Sequence, residues 1–528
     1  MMSGVSWRTT RDALHAARDP VRSARVAIGD LGSNSWRLVV FGYGPGPWWK
    51  RTDELYETVR IGAGLGSSGR LSDEAMDRGA ETLGVFARFC RASRIADEDV
   101  HFVATSAIRD ASNGPSFLER VEAETGLGIE VLDAREEGWY GYVAAVNTTT
   151  LRDGAVLDIG GGSMQLIEVH DRHAGEIASF PLGAVRVTEQ FLAQDDERPA
   201  RRKTLDRVRD HVREQLTGAS WLSGGRLVGV GGAVRNLAAA AAQADGAPDL
   251  GVQGYLLGAG ALDGLVETLA ALPPSQRGTV PGIKPGRGDI ILASAVVLQT
   301  VLETGNFDGI EATEAGLREG VFLARTLLDP EDPLIDDVRN AAVRNLAVQY
   351  ESDMRHTEHV AELALEMFDS LVSGDLFAPH PDERELLWAA AMLHDVGMVI
   401  SYDDHHKHSR YLIEAAELPG FDPRERALIA QITRYHRKGA PKLGAIEPLA
   451  VDGDAALLDR CATILRLAEH LERGRDQSVA HARLATNGDG VDLHLQADGD
   501  LMLPRWSVER YGDDEAFERV FGRRLIIG

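Results

Sequence analysis

The chain has 528 residues, a formal net charge of −25, 44% hydrophobic and 26% charged residues. That length exceeds one ordinary core and predicts three or four domains of globular composition. The acidic balance argues against general nucleic-acid binding, and no apolar run reaches the about 18 residues that a membrane span requires. A polyanionic substrate would need a local basic channel and metal ions to overcome this field.

Met1 to Arg25 carries several arginines but no apolar segment, so it reads as an N-terminal extension rather than a secretory signal. Strands are predicted at Val26–Ile28, Leu38–Phe41, Val100–Ala104 and Ile129–Leu132, and a helix from Ser72 to Arg91. Ile129–Leu132 delivers two adjacent carboxylates, Glu136 and Glu137, to a helix start, where acidic residues also serve the helix dipole. The same grammar restarts with strands at Ala155–Leu157 and Leu166–Val169, a helix at Leu205–Leu216, and strand Leu227–Val230. That strand enters Gly231-Gly232-Ala233-Val234-Arg235 and an Ala-rich helix, Asn236–Ala242. Alternating strands and helices predict α/β domains. Leu328 to Pro333, rich in prolines and acids, marks a boundary. Helical patterning runs from there to about Glu472, and Ala480 to Gly528 returns to β signals such as Val491–Leu495. The two cysteines, Cys90 and Cys461, read as buried thiols of a reducing cytoplasm.

Two segments repeat one design 128 positions apart, Ile28-Gly29-Asp30-Leu31-Gly32-Ser33-Asn34-Ser35 and Leu157-Asp158-Ile159-Gly160-Gly161-Gly162-Ser163. Each reads as strand, acid, small-residue turn and second strand. Such turns can point several amide N–H groups at phosphate oxygens, and an Asp at the strand end can hold a divalent cation. The duplication predicts a phosphate chain held between two related halves.

The segments DLGSNSWRLVV (30–40), ATSAIRDASN (104–113), IEVLDAREEGWYGY (129–142), VLDIGGGSMQLIEV (156–169), PLGAVRVTEQF (181–191), VGVGGAVRNLA (228–238), RGDIILASAVVL (287–298) and ATEAGLREGVF (312–322) resemble the exopolyphosphatase and guanosine pentaphosphate phosphohydrolase family. The resemblance implies duplicated actin-like (ribonuclease H-like) α/β domains and Mg²⁺- or Mn²⁺-dependent hydrolysis of a terminal phosphoanhydride. By position it makes Glu137 the general base, and Asp158, with Gln165, part of the catalytic set. Asp30, Asp158 and Glu137 become metal ligands. Gly32, Ser33, Asn34, Ser35, Arg109, Gly160, Gly161, Gly162, Ser163, Gly231, Gly232 and Arg235 contact phosphate. Where the family reads Gly-Gly-Gly-Ser-Thr-Glu, this chain has Met164-Gln165 after the serine, so a carboxylate is replaced by an amide.

Downstream, His356, His394-Asp395 and Glu469 resemble the ligands of the HD phosphohydrolase superfamily, with Glu469 in place of the usual Asp, and imply a second divalent metal. His405 and His406 read as loop residues, and Lys407, Arg434, Arg437 and Lys438 could instead line a polyphosphate channel. The implied order is an extension at 1–25, actin-like domains at 26–147 and 148–328, an all-α HD-like domain at 334–478 and a small α+β appendage at 479–528. Exopolyphosphatase is the leading expectation. The alternatives are a guanosine pentaphosphate (pppGpp) 5′-phosphohydrolase, a ppGpp or polyphosphate sensor with weak turnover, and an enzyme working through the HD-like domain. The partner is thus polyphosphate or pppGpp, with neither nucleic acid nor membrane, and a homodimer by family analogy alone.

Overall fold

A computed structural model describes residues 24–44, 48–192, 197–488, 490–512 and 514–527. The N-terminal extension expected at 1–25 lies outside them except for Ala24 and Arg25, which open the first strand. The chain divides into two compact units, Met1–Gly246 with Gly251–Val338, and Ala247–Leu250 with Arg339–Gly528.

The first unit is built on two sheets of one design. Strands β1 (Ala24–Leu31), β2 (Trp36–Tyr43), β3 (Trp49–Glu57), β4 (Val100–Ala104) and β5 (Ile129–Val131) lie in the order β3-β2-β1-β4-β5. β1 to β3 form an antiparallel meander, and β4 and β5 continue parallel to β1. Strands β6 (Gly154–Ile159), β7 (Met164–His170), β8 (His173–Phe180), β9 (Arg226–Val230), β10 (Leu256–Gly258) and β11 (Gly309–Ala312) give β10-β11-β9-β6-β7-β8. Without the antiparallel edge strand β10 this repeats the first sheet strand for strand. The predicted duplication is therefore present in the topology.

Sequence patterning misses β3 and β8 for a physical reason. β3, WKRTDELYE, is an edge strand exposed along most of its length, so it shows no apolar alternation. β8 is likewise a largely exposed edge. The predicted helix at Ser72 begins where expected: Ser72 Oγ caps α1 (Asp73–Ala92) by accepting from the Ala75 amide at 3.2 Å.

The helices α2 (Ser106–Asp110), α3 (Gly114–Thr125), α4 (Ala134–Val146), α5 (Arg202–Leu216), α6 (Gly231–Ala244), α7 (Ile291–Gly305) and α8 (Leu317–Phe322) complete the unit's main frame. Two of them cross over. α4 follows β5 in the chain, yet it contacts β6, β7, β8 and β9 of the second sheet; α8 follows β11, yet it contacts β1. The two helices touch where Gly320 leaves room for the Tyr140 carbonyl, a gap that any Cβ would fill. Around this crossing Phe41, Val143, Ile167, Val228 and Phe322 form one core shared by the two sheets.

In the second unit, α9 (Val338–Gln349), α10 (Met354–Ser373), α11 (Glu383–Leu393), α12 (His405–Ala415), α13 (Pro423–Tyr435) and α14 (Asp454–Leu471) precede β12 (Val479–Asn487), β13 (Gly490–Ala497), α15 (Met502–Tyr511), α16 (Asp514–Phe521) and β14 (Arg524–Ile527). The predicted α+β tail is present, but Val479, Leu484, Val491 and Leu493 share one core with Val360, Leu386 and Leu465. The tail and helices thus form one unit rather than a domain and an appendage. Cys90 and Cys461 are both buried free thiols. No helix among the described residues is long and apolar enough to cross a membrane.

Phe322 is fully buried and stacks on Phe41 with ring centroids 4.3 Å apart. Phe322→Ala is expected to destabilise the first unit by about 3–5 kcal/mol. Urea unfolding followed by tryptophan fluorescence checks this; an unchanged midpoint contradicts the shared core.

Candidate active site

The two small-residue loops face each other. A Cβ on Gly161 would meet Ser33 Cβ at 2.9 Å, and one on Gly162 would meet Ser106 Oγ at 2.6 Å. Ser33 Oγ and Ser106 Oγ are hydrogen-bonded at 3.0 Å, tying the first loop to α2. Loop carbonyls are occupied by neighbouring amides: Asn34 O by Arg60 N (2.8 Å), Ser33 O by Gly62 N (3.0 Å), Gly160 O by Ala184 N (2.9 Å) and Gly161 O by Val185 N (2.8 Å). Occupied acceptors remove carbonyl oxygens that would repel an oxyanion, although the Gly160 amide is itself held by the Ser163 carbonyl at 2.9 Å. Asn34 Nδ2 is buried there without a hydrogen-bond partner among the described residues, a further donor lacking an acceptor. The cleft is walled by Ser33, Gly62, Ser106, Gly161, Gly162 and Arg186. Ser35 follows Asn34 at the exit of the first loop, and Trp36 Nε1 holds the Gly32 carbonyl at 3.0 Å.

Asp30 and Asp158 occupy equivalent places near the ends of β1 and β6. Asp158 pairs with Gln165 across β6 and β7, as Asp30 pairs with Arg37 across β1 and β2. Gln165 is buried and its amide donates to Ser163 Oγ at 2.9 Å, so the uncharged side chain orders the second loop. Burial pushes Asp158 up to about 6, with the Asp30 charge adding to the shift. Asp30 is raised as well, burial again outweighing the pull of Arg318 and Arg37.

The adjacent carboxylates of α4 divide their work. Glu136 closes a capping box: the Asp133 amide donates to Glu136 Oε2 at 2.8 Å, and the Glu136 amide to Asp133 Oδ1 at 2.8 Å. Glu137, one residue on, is buried on the inner side. Arg109 Nη1 donates to its Oε2 at 3.0 Å and to the Leu132 carbonyl at 2.9 Å. Burial drives Glu137 up to about 7 against the pull of Arg109, and Asp158 and Asp30 push the same way. Gly138 and Gly141 bring α4 down onto the second sheet: a Cβ at 138 would meet Gln165 Cγ at 3.4 Å, and one at 141 Asp158 Oδ2 at 3.7 Å. Glu137, Asp158 and Asp30 thus perturb one another inside one cleft, although they stand on three elements.

Gly231 and Gly232 are the first residues of α6, which starts ahead of the predicted Asn236. Gly231 takes φ +91°, and a Cβ there would lie 2.7 Å from Asp158 Oδ1. The helix therefore starts against the carboxylate, with the Gly232 Cα under the Arg287 guanidinium. Arg235 is held by the carbonyls of Glu314 (3.0 Å) and Ala315 (3.3 Å). Sequence reasoning found Arg235 but missed four cations around it: Arg37, Lys284, Arg287 and Arg318. Burial lowers Arg287 to about 10, and Arg235 repels it further. Lys284 is lowered by burial and by Arg37, Arg235 and Arg287, and Arg37 by burial and Arg318. Five cations forced together beside two carboxylates make a local anion site within an acidic protein. Arg37 could have been found by extending the 128-residue repeat seven positions, to the counterpart of Gln165. Arg186, also missed, joins the loop to α2 by donating to the Gly162 carbonyl at 2.9 Å and to Asp110 Oδ2 at 3.0 Å.

In the second unit the predicted His356, His394, Asp395 and Glu469 do come together, His356 and His394 fully buried. His405 and His406 are not in a loop; they open α12 and are buried, because Leu412 and Ile413 on the same helix face the core. Of the expected channel cations, Lys407 and Lys438 pair with Asp404 at 2.6 and 3.5 Å, while Arg434 and Arg437 lie over the rings of Tyr435 and Tyr402.

Residues 52–328 match the family described as the Ppx/GppA phosphatase family, and residues 338–504 match Ppx/GppA phosphatase, domain III. A protein of Aliivibrio fischeri (strain MJ11) named guanosine-5′-triphosphate,3′-diphosphate pyrophosphatase is 28% identical over 491 residues, covering 89% of this chain and 91% of its own. A Vibrio vulnificus (strain YJ016) protein of the same name is 28% identical over 483 residues, with the same coverage. Among solved structures, the Aquifex aeolicus Ppx/GppA family member is 28% identical with a TM-score of 0.51, covering 58% of this chain and 98% of its own. An exopolyphosphatase from Cytophaga hutchinsonii shares the fold, at 24% identity and TM-score 0.52, over 56% of this chain and 96% of its own.

A carboxyl whose folded pKa is raised costs stability as pH climbs from its unfolded value past the folded one. For Asp158 that window runs from 3.8 to about 6. In metal-free protein Asp158→Asn is therefore expected to raise stability at pH 8, by up to ~3 kcal/mol, and by less at pH 5. Thermal unfolding in chelator at the two pH values measures it; equal or lower stability at pH 8 contradicts the electrostatic reading.

Proposed function

The chain belongs to the Ppx/GppA phosphatase family, and we propose that it removes the terminal phosphoryl group of guanosine pentaphosphate through the cleft between its two Asp-Gly loops. Phosphoanhydride hydrolysis is the chemistry of the family; the substrate is our reading. The observation that carries it is the bounded cation cluster of Arg37, Arg235, Lys284, Arg287 and Arg318 beside Asp30 and Asp158. A fixed set of cations near the start of α6 suits a compact ligand bearing a second phosphate group. Relatives matched along most of their length carry the name of that activity.

Inorganic polyphosphate is the second reading. It is supported by the cations Arg109 and Arg186 on the loop side of the carboxylates, which with the cluster offer contacts for a longer chain. Both readings use one reaction. Phosphoryl transfer needs positioning and charge neutralisation more than covalent chemistry. Amides of the two loops and Asn34 Nδ2 would hold the terminal phosphoryl oxygens. Glu137, with Arg109 fixing one of its oxygens, would orient a water in line and take its proton.

Asp30, Asp158 and Glu137 offer an all-oxygen donor set whose mutual repulsion a hard cation relieves, which fits Mg²⁺ or Mn²⁺. A bound ion would neutralise charge developing on the phosphate chain. The order Gln165 imposes on Ser163 supports turnover despite the lost carboxylate, and so counts against a sensor with weak activity.

The test is phosphate release with Mg²⁺ from pppGpp, long polyphosphate and short polyphosphate in parallel. Release from pppGpp at the highest kcat/KM is expected; no release from any of the three contradicts the proposal. Glu137→Gln is expected to lower kcat by about 10²–10⁴-fold. Activity should rise with pH as Glu137 loses its proton. Arg109→Ala removes a cation that lowers the Glu137 pKa, so it should move this limb to higher pH; an unmoved limb rules out Glu137 as the titrating base.

A further inference from the structure

Three residues stand side by side across the first sheet. Asp30 of β1 pairs with Arg37 of β2, and Arg37 pairs with Tyr56 of β3. Cross-strand partners share one face of a sheet, so the row runs from a cleft carboxylate through a cation to an aromatic ring. Two strand spacings separate its ends, which puts Tyr56 roughly 10 Å along the row from Asp30. Tyr56 lies on the edge strand and is 43% exposed.

Single exposed aromatics are ordinary on a protein surface. This one is held in place. The Arg37 guanidinium lies over one side of the ring, 4.7 Å from its centroid. Arg37 is fixed in turn by Glu54, to which its Nη1 donates at 2.7 Å. At the ring's far end Thr58 Oγ1 donates to Tyr56 Oη at 3.2 Å. A ring anchored on one side and at its hydroxyl has little freedom left to lose when a second planar group meets the other side.

The ring also marks the outer end of the cation cluster. Its hydroxyl is within electrostatic reach of Arg37 and of Arg287, which comes from the second half of the cleft. Arg318 Nη1, 3.8 Å from Glu54, is buried without a hydrogen-bond partner among the described residues, an unused donor within the same cluster. A ligand with phosphates on these cations and a flat group beyond them would meet the exposed side of Tyr56.

We infer that Tyr56 is the stacking platform for the base of a nucleoside polyphosphate whose phosphates lie along the row toward Asp30. The inference rests on the guanosine pentaphosphate reading above and deepens it by naming the residue that recognises a nucleoside. The cations serve a nucleotide and an inorganic chain alike, whereas an aromatic face has nothing to offer an inorganic chain. Stacking tolerates any base, because every base has a π-face. Tyr56 therefore selects a base over none, and leaves the choice of guanine over adenine to other contacts.

Calorimetric titration of the Glu137→Gln chain in Mg²⁺ tests this, with pppGpp and inorganic tripolyphosphate as the two ligands. Tyr56→Ala in that background should weaken pppGpp about 5- to 100-fold and tripolyphosphate far less. Tyr56→Phe, which keeps the ring, should restore most of the affinity. Equal weakening of both ligands overturns the inference, as does pppGpp binding that ignores Tyr56→Ala. Should Tyr56→Ala fail to fold, a Glu137→Gln chain deuterated except at its tyrosine rings decides. Magnetisation transfer from those rings to the guanine H8 proton of bound pppGpp supports the platform, and none overturns it. The underlying reading fails separately: pppGpp held through Tyr56 but not hydrolysed by the unsubstituted chain contradicts the proposed reaction and leaves the platform standing.

Discussion

The crossing of α4 onto the sheet of the other half is the constraint on which the active site depends. Glu137 is encoded with the first repeat, yet it lies beside Asp158 of the second, because α4 leaves β5 and lies across β6 to β9. Three glycines make that approach close enough. Gly138 and Gly141 admit the sheet and Gly320 admits the return helix α8. Larger residues at these points would press on Ile177, the Asp158 carboxylate and the Tyr140 carbonyl, and so lift Glu137 away from its partners. The reciprocal passage of α8 to β1 brings Arg318 and Glu319 near Asp30, so both halves complete the same cleft.

Electrostatics explains why the cleft is costly and why it works. Three acids are buried together, and burial pushes each up in pKa against the pull of the cations beside them. Five cations are crowded beside them, with Arg37, Lys284 and Arg287 pushed down. Each cluster strains the other's sign of charge less than its own. In the proposed function, a ligand bearing phosphates together with a divalent cation would relieve both. The global charge of −25 leaves this local field intact because low-dielectric walls and short distances dominate it.

Much of this was legible in the residues. The 128-residue repeat revealed the duplicated sheets, because strand, acid and small-residue turn are local features. Ser72 marked a helix start for the same reason. The adjacent Glu136 and Glu137 looked alike in sequence; only the capping box separates the acid that caps the helix from the one buried in the cleft. What stayed hidden was non-local. Arg287 and Arg318 come from helical segments far from either loop: Arg318 joins the site through the crossing helix α8, and Arg287 by lying over Gly232. The edge strands β3 and β8 are largely exposed, so neither carries a clear apolar period. His405 and His406 resembled a polar loop because four of the residues from 405 to 408 are His or Lys, but the helix they open turns both inward. The tail strands looked like an appendage because their apolar faces give no sign of which core they join.

The account is tested most directly by the position of the metal and the substrate together. Crystals of the Glu137→Gln chain, with Mn²⁺ and unhydrolysed guanosine pentaphosphate, can be measured at the manganese absorption edge. The anomalous signal is predicted between the Asp30 and Asp158 carboxylates, with the terminal phosphoryl group facing position 137. Manganese bound away from both aspartates, or a phosphate chain lying with its terminus outside the two loops, would contradict it.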